Sequence, residues 1–279
     1  MHSIPSLRLN NGVLLPQLGY GVYKVPAPDC SGLVRQALET GYRSIDTAAL
    51  YGNEEGVGQA VRDATGEHGW LERSDIFVTS KVWNDSHGYR STLAAFAESM
   101  ERLGLEYLDL YLIHWPCPER NAFVETYKAL EKLYHDGAVR AIGVSNFSRQ
   151  HLERLFAETS VVPAVNQVEL HPLLQQRELR EFHARHGMVT EAWSPLARGS
   201  LLGHPGLGEI AVALGVSPAR VALRWQLQLG NAAIPKSSSR ERMAANLDVF
   251  NFRLDDAQMA ALAALDAGTR SGSDPDTVN

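Results

Sequence analysis

The stretch Gly41-Tyr-Arg-Ser-Ile-Asp46-Thr-Ala-Ala-Leu-Tyr51-Gly-Asn-Glu-Glu55 decides how this chain is read. Ser44 and Ile45 form the end of a short buried strand, which runs straight into an acid, Asp46. A tyrosine, Tyr51, follows in a loop bounded by Gly52. A charge at the end of an apolar strand costs stability unless something pairs with it. Candidate partners stand at matching places further along: Lys81 ends the strand Asp75-Ile-Phe-Val-Thr-Ser80, and His114 ends Leu108-Asp-Leu-Tyr-Leu-Ile113. For any one of these residues alone, a structural Asp–Lys pair, a packed tyrosine or a satisfied histidine is the plainer account. All of them together at the ends of three successive strands point to a proton-transfer centre.

Strand and helix patterns alternate throughout the chain. Strands are expected at 17–21, 43–46, 75–81, 108–114, 139–144, 164–168, 188–193 and 231–235. They are rich in Ile, Val, Leu and Ala, as strands buried on both faces should be. Between them lie apolar stripes at helical spacing, such as Leu93, Phe96, Met100 and Leu103, or Phe123, Tyr127, Leu130 and Tyr134. Gly41 and Gly137 stop helices; Asn53, Ser148 and Ser217 are placed to cap them, the last followed by Pro218 at the first helical position. Strictly alternating βα units favour a parallel sheet. Eight of them in about 250 residues favour an α/β fold of the (β/α)8 TIM-barrel type over a doubly wound sheet. Residues 1–16 are expected to form an N-terminal β-hairpin at the bottom of the barrel, with Asn11-Gly12 as a type I′ turn. Segments 205–215 and 255–266 are two extra helices. No linker divides the chain, so 1–279 is expected to be a single domain.

Composition narrows the class. With 44% apolar and 21% charged residues the chain is globular, and its net charge of −6 disfavours nucleic acid and anionic membrane as partners. The N-terminus has no apolar leader and no run of eighteen apolar residues occurs. Cys30 and Cys117 are the only cysteines, which fits a reduced, cytoplasmic protein. Neither H-x-x-x-H nor C-x-x-C spacing occurs, so no metal is expected. A monomer acting on a small molecule is the expectation.

In a closed parallel barrel the C-terminal strand ends meet on one rim, where such barrels carry their active sites. Asp46, Lys81, His114, Ser145-Asn146, Gln167, Trp193-Ser194 and Lys236-Ser237 would all meet there. Tyr51 is the candidate proton donor, but a free phenol titrates near pH ~10. A lysine ammonium about 4 Å away would favour the tyrosinate by roughly 4 kcal/mol at an effective dielectric of ~20, so Lys81 is expected to lower its pKa. Asp46 would hold Lys81 charged, and His114 could orient a substrate oxygen. These groups move protons and supply no electron pair. Ile234-Pro-Lys236-Ser-Ser-Ser239-Arg-Glu-Arg242 offers a phosphate site at a strand end and helix start. Trp193 could stack on a flat ring, with Ser145, Asn146 and Gln167 available to a carboxamide; a nicotinamide nucleotide satisfies all of these. Gly206-Leu-Gly208-Glu-Ile-Ala211 matches G-x-G-x-x-A in form only, since no strand precedes it.

The chain resembles the aldo-keto reductase family, and within it the bacterial 2,5-diketo-D-gluconate reductase group. The resemblance rests on the 41–55 stretch, Leu108-Asp-Leu-Tyr-Leu-Ile-His-Trp-Pro116, Ile142-Gly-Val-Ser-Asn-Phe147, Val165-Asn-Gln-Val-Glu-Leu-His-Pro172 and Ile234-Pro-Lys-Ser237. It implies a (β/α)8 fold and NADPH-dependent reduction of aldehydes and ketones, with diketones or keto sugars such as 2,5-diketo-D-gluconate as candidate substrates. Tyr51 is then the acid, with Asp46, Lys81 and His114 completing a tetrad and no metal taking part. Gly21, Val22, Tyr23, Asp46, Ser145, Asn146, Gln167, Trp193, Ser194, Pro195 and Leu196 fall at cofactor-contacting positions. Lys236, Ser237, Ser238, Ser239, Arg242 and Asn246 fall where the 2′-phosphoadenosine end is held. Ser238-Ser239 stands where the diketogluconate reductases carry Val-Arg, so one phosphate-facing cation is missing. Tyr23, Tyr51, Trp83, His114 and Trp115 would wall the substrate pocket, left open by the short polar tail after Leu265; His171 reads as structural. Two other readings stay in view: a Schiff-base lyase using Lys81, and a non-enzymatic nucleotide-binding member of the family.

Overall fold

The computed structural model describes residues 4–279, so the first three residues of the expected 1–16 hairpin lie outside it. Strands β1 (Ser6–Arg8) and β2 (Leu14–Pro16) pair antiparallel with Leu7 opposite Leu15. The turn between them is not type I′, which needs positive φ at both central residues. Gly12 N donates to Leu9 O (2.9 Å) and Leu9 N to Val13 O (2.8 Å), so Asn10 and Asn11 are the central pair. Only Gly12, at φ +90°, is left-handed there. This is the three-residue hairpin loop, a type I turn closed by a glycine bulge. Asn11 is drawn out of the expected role by its side chain, which donates to Arg140 O (2.9 Å) and accepts from Val13 N (3.2 Å).

Eight parallel strands follow: β3 (Tyr20–Gly21), β4 (Ser44–Asp46), β5 (Phe77–Val82), β6 (Leu110–Ile113), β7 (Ile142–Ser145), β8 (Val165–Glu169), β9 (Val189–Trp193) and β10 (Ala232–Ala233). Each pairs with its sequence neighbour, from β3 through to β10. The sheet curls until its edges meet. Leu18 bridges Ala233 in parallel, Gly19 N donates to Ala233 O (2.9 Å), Ala233 N to Gln17 O (3.0 Å) and Gly21 N to Pro235 O (3.2 Å). Gln17 adds a side-chain staple, donating from Nε2 to Leu227 O and Asn231 O at 3.0 Å each. Closure removes the unpaired edges that an open sheet would expose.

The strands are wrapped by α1 (Ala27–Thr40), α2 (Glu54–Thr65), α3 (Tyr89–Leu103), α4 (Phe123–His135), α5 (Arg149–Glu158), α6 (Arg177–Arg185), α8 (Pro218–Gln228) and α9 (Arg240–Leu247). Two helices stand outside that repeat, α7 (Pro205–Leu214) and α10 (Asp256–Ala263), at the expected places. The G-x-G-x-x-A segment opens α7 and, as expected, follows no strand. Ser217 accepts from Arg220 N as an N-cap, with Pro218 at N1. Asn53 precedes α2 but does not cap it. Its side chain instead accepts from Thr47 Oγ1 (2.9 Å) and donates to Val22 O and Val25 O, tying three rim segments together. No single helix among the described residues is long and apolar enough to cross a membrane.

Side chains alternate along a strand, and here the alternation separates two cores. One packs between sheet and helices, with Tyr111, Val144, Phe147 and Trp225 among its members. The other fills the barrel from below: Leu9 and Leu15 of the hairpin region meet Phe77, Leu110, Leu112, Val165 and Ala232. Stepping two residues up from these plugs gives the inward positions of the rim. Phe77 leads through Thr79 to Lys81, Leu112 to His114, and Val165 to Gln167 and Glu169. The sealed apolar floor therefore dictates which residues face the mouth.

Candidate active site

Asp46, the last residue of β4, and Lys81 on β5 are both buried and paired, at 2.7 and 2.8 Å to the two carboxylate oxygens. Lys81 gives its remaining bond to Thr47 O (2.9 Å). Its three donors are thus all used. Tyr51 ends a short 3-10 turn, Ala49–Tyr51, with Gly52 left-handed behind it. The turn sets the phenol over Lys81, whose Nζ lies 5.2 Å from the ring centroid. His114 meets Tyr51 edge-on at 5.6 Å between centroids. The four residues expected at one rim are brought together.

The electrostatics differ from expectation at one point. Lys81 was expected to lower the phenol's pKa; burial, with Asp46 and then Tyr23 adding to it, raises Tyr51 well above its ordinary value instead. The cause is visible in the pairing. With every ammonium hydrogen held by Asp46 and Thr47, Lys81 and Asp46 act as a near-neutral unit, and desolvation of the tyrosinate dominates. A phenol held in its acid form suits a proton donor. His114 is pushed well below its ordinary pKa by burial and by the Lys81 charge, and its Nδ1 has no hydrogen-bond partner. It is therefore a neutral imidazole at neutral pH.

Around this centre the expected pocket aromatics assemble. Tyr23, exposed, stacks tilted on Tyr51 at 5.0 Å; Trp83 meets His114 edge-on at 5.1 Å; Trp115 lies parallel to His114 at 6.5 Å. Next to them is a chain of amides. Asn146, left-handed at φ +65°, donates to His114 O (2.9 Å) and accepts from Trp193 Nε1 (2.8 Å). Ser145 Oγ donates to Gln167 O (2.8 Å). Gln167 Nε2 donates to Asp46 Oδ2 (2.7 Å) and to Glu191 Oε2 (2.8 Å). Its Oε1 is the amide atom left for a ligand. Gly21 and Val22 back this site: Val22 N donates to Asp46 O (3.0 Å).

The other expected contacts form a second group beyond the strand ends. Ser194, Pro195 and Leu196 make the turn after β9, with Ser194 left-handed at φ +48°. After β10, Lys236, Ser238 and Arg242 are exposed, while Ser237 and Asn246 are buried. Ser239 caps α9 by accepting from Arg242 N (3.3 Å). Ser237 is pinned from below, its carbonyl accepting from Tyr20 Oη at 2.6 Å. Lys236 and Arg242, exposed beside a helix start, with a buried amide-lined site at the mouth, fit the two ends of a phosphorylated nucleotide. Among the described residues no group of His, Cys, Asp and Glu could hold a metal ion, and Cys30 and Cys117 are free and buried.

Two functional-looking groups escaped the sequence reading. Glu191 sits inside β9, two residues before Trp193. Glu169 ends β8 and anchors the tail. It accepts from Ser271 N (2.7 Å), Ser271 Oγ, Gly272 N (3.1 Å) and His171 Nε2 (3.1 Å), and these bonds hold its carboxyl down at about 2 despite burial. The short polar tail after Leu265 is held down along the barrel by these bonds. Ala267 N and Thr269 N donate to Leu173 O, and Asn279 Oδ1 accepts from Glu119 N. Gly272 lies so close to Trp193 that a β-carbon there would stand 2.4 Å from the indole ring.

Residues 17–267 match the Aldo/keto reductase family. An "Aldo-keto reductase" of Mycobacterium sp. (strain KMS) is 51% identical over 275 residues, covering 99% of this chain and 98% of that protein. The glyoxal reductase of Bacillus subtilis (strain 168) is 48% identical over 272 residues, 97% of this chain and 96% of that protein. The crystal structure of a Gox0644 mutant in complex with NADPH superposes with a TM-score of 0.93 at 46% identity, over the whole of both chains. With a closed eight-stranded barrel that gathers Asp46, Tyr51, Lys81 and His114 at one rim, the chain belongs to the aldo/keto reductase family and is an oxidoreductase acting on carbonyl groups.

Proposed function

We propose that the protein reduces small dicarbonyl compounds, keto sugars such as 2,5-diketo-D-gluconate among them, to hydroxy compounds at the expense of NADPH. The observation that carries the reading is the Tyr51 phenol held against His114 above the Asp46–Lys81 pair. NADPH, when bound, supplies the electron pair and hydrogen that reduce the carbonyl carbon. Tyr51 Oη donates the proton to the carbonyl oxygen as charge builds there, which is general acid catalysis. Neutral His114 hydrogen-bonds the same oxygen and orients it. Trp193 and the Gln167 Oε1 atom hold the nicotinamide, and Lys236 and Arg242 meet the 2′-phosphate. The likeness to a glyoxal reductase supports the small dicarbonyl class. The same reading has the chain working as one cytoplasmic, monomeric domain with no nucleic-acid or membrane partner, in keeping with its net charge of −6.

NADPH absorbance followed with glyoxal, 2,5-diketo-D-gluconate and a simple monoaldehyde tests it. The dicarbonyls should give the higher kcat/KM; a preference for the monoaldehyde would overturn the substrate class. No NADPH oxidation with any carbonyl would favour a non-enzymatic role. Borohydride trapping of a substrate on Lys81 would favour the lyase, which is disfavoured because Nζ is already engaged by Asp46 and Thr47 O.

The phosphate end makes its own prediction. Charge-assisted hydrogen bonds contribute ~1.5–3 kcal/mol each, and Arg grips phosphate in a fork that Lys lacks. Arg242 is exposed, so the lower figure applies. Arg242→Ala is expected to raise the KM for NADPH about tenfold and to leave that for NADH nearly unchanged. Equal losses with both cofactors would place Arg242 away from the 2′-phosphate.

A further inference from the structure

Val189, Glu191 and Trp193 alternate along one face of β9, the face that looks into the barrel. Glu191 is 2% exposed. The ammonium inside the barrel, Lys81, is already bound to Asp46, so Glu191 has an amide for its partner: Gln167 Nε2 at 2.8 Å. The same nitrogen gives its other hydrogen to Asp46 at 2.7 Å. An amide nitrogen has two hydrogens, and both go to carboxylates. The reverse orientation would aim the carbonyl oxygen at two acids, so this amide has one workable pose.

We propose that Glu191 is a positioning residue for the nicotinamide: with Asp46 it locks Gln167 with Oε1 toward the mouth, and its charge favours the oxidised, cationic ring over the reduced, neutral one. The proposal rests on the placement of the nicotinamide against Gln167 made above. The charges facing Glu191 are Asp46 on β4 and Lys81 on β5, which cancel; β8 presents Gln167 and, nearer the rim, Glu169, whose carboxyl is held down at about 2, and β10 presents Ala232. The net charge of the barrel interior therefore follows the Glu191 proton alone. Burial, with Asp46 adding to it, pushes Glu191 up to about 7. Above that pH the interior carries one more negative charge than below it. Tyr51 and His114 titrate on either side of this window.

The test is the dissociation constant of NADP+ and of NADPH, read by tryptophan fluorescence from about pH 5.5 to about 8.5, across the proton equilibrium. Both cofactors carry the same phosphates, so phosphate titration cancels in the ratio of the two constants. In the unaltered protein the NADP+/NADPH ratio of dissociation constants should fall about fivefold or more as pH rises, the size of a buried charge acting on a nearby cation at an effective dielectric of ~20. Glu191→Gln keeps an oxygen acceptor for Gln167 but no charge, so its ratio should be flat while NADPH still binds. Glu191→Leu should also weaken NADPH binding, since Gln167 loses one of its two anchors. A Glu191→Gln protein with the original pH slope, or an unaltered protein with a flat ratio, would overturn the proposal. If Glu191→Leu fails to fold, the first comparison decides alone. Gln167→Ala separates the layers: unchanged NADPH affinity would mean that the nicotinamide does not lie against Gln167. Weakened affinity, with the slope surviving in Glu191→Gln, would reject the role of Glu191 alone.

Discussion

Tyr51→Phe is expected to lower kcat for carbonyl reduction by about 10²–10⁴-fold, the usual cost of losing general acid catalysis, while NADPH binds almost as before. The phenylalanine keeps the ring that packs on Tyr23 and His114, so only the proton is removed. His114 cannot replace it, because a ring held well below its ordinary pKa carries no spare proton at neutrality. The raised phenol adds a pH signature. Its acid form persists at every pH below its pKa, so reduction should show no falling limb due to Tyr51 below about pH 10. Stopped-flow single turnovers with a saturating dicarbonyl would show both effects. A variant retaining more than about a tenth of the turnover would exclude Tyr51 as the acid.

Lys81→Met is expected to destabilise the fold by about 3–5 kcal/mol at neutral pH, because it leaves a buried carboxylate without its cation. Asp46 would keep only Gln167 Nε2, which it shares with the second buried carboxylate, Glu191. The cost is that of a buried charge without a partner, so the deficit should shrink as acidification neutralises carboxylates. Urea titrations at several pH values would measure this. A loss under about 1 kcal/mol would show that the pair contributes no more than an exposed one. The double variant Asp46→Asn/Lys81→Met should recover much of the stability, since neither charge is left buried alone. It should not recover turnover if the pair is needed to hold Tyr51 in place.

Much of this site could be read before the fold was seen, because strand ends are legible from sequence. An apolar run that stops at Asp46, Lys81 or His114 places that residue on the rim, and closure of the barrel brings the rims together. The same rule misses Glu191, which lies inside its strand between Thr190 and Ala192 and not at its end. Counting back two residues from Trp193 would have found it, since inward positions repeat with period two. Glu169 offered less: its partners Ser271 and Gly272 are about a hundred residues away in the chain, and no local pattern announces that the tail returns. The direction of the Tyr51 shift was beyond sequence for a different reason. It depends on which acceptors take the three hydrogens of Lys81, and that is settled by sub-ångström placement. The hairpin turn differed because Asn11 had two uses, and its side-chain bond to Arg140 across the barrel floor won.

The seam of the barrel bears on how the protein is made. Gln17 and its neighbours close against residues more than 200 positions later in the chain, Leu227 and Asn231 among them. At ~5–20 residues per second on the ribosome, those partners emerge roughly 10–40 s after the first strand. Throughout that interval the nascent sheet is an open fan with two bare edges, each a template for pairing with another chain. Contacts of such high sequence separation also fold slowly once all the parts are present. Aggregation during synthesis is thus a hazard of the half-made barrel, and it ends when Ala233 reaches Gln17 and Gly19.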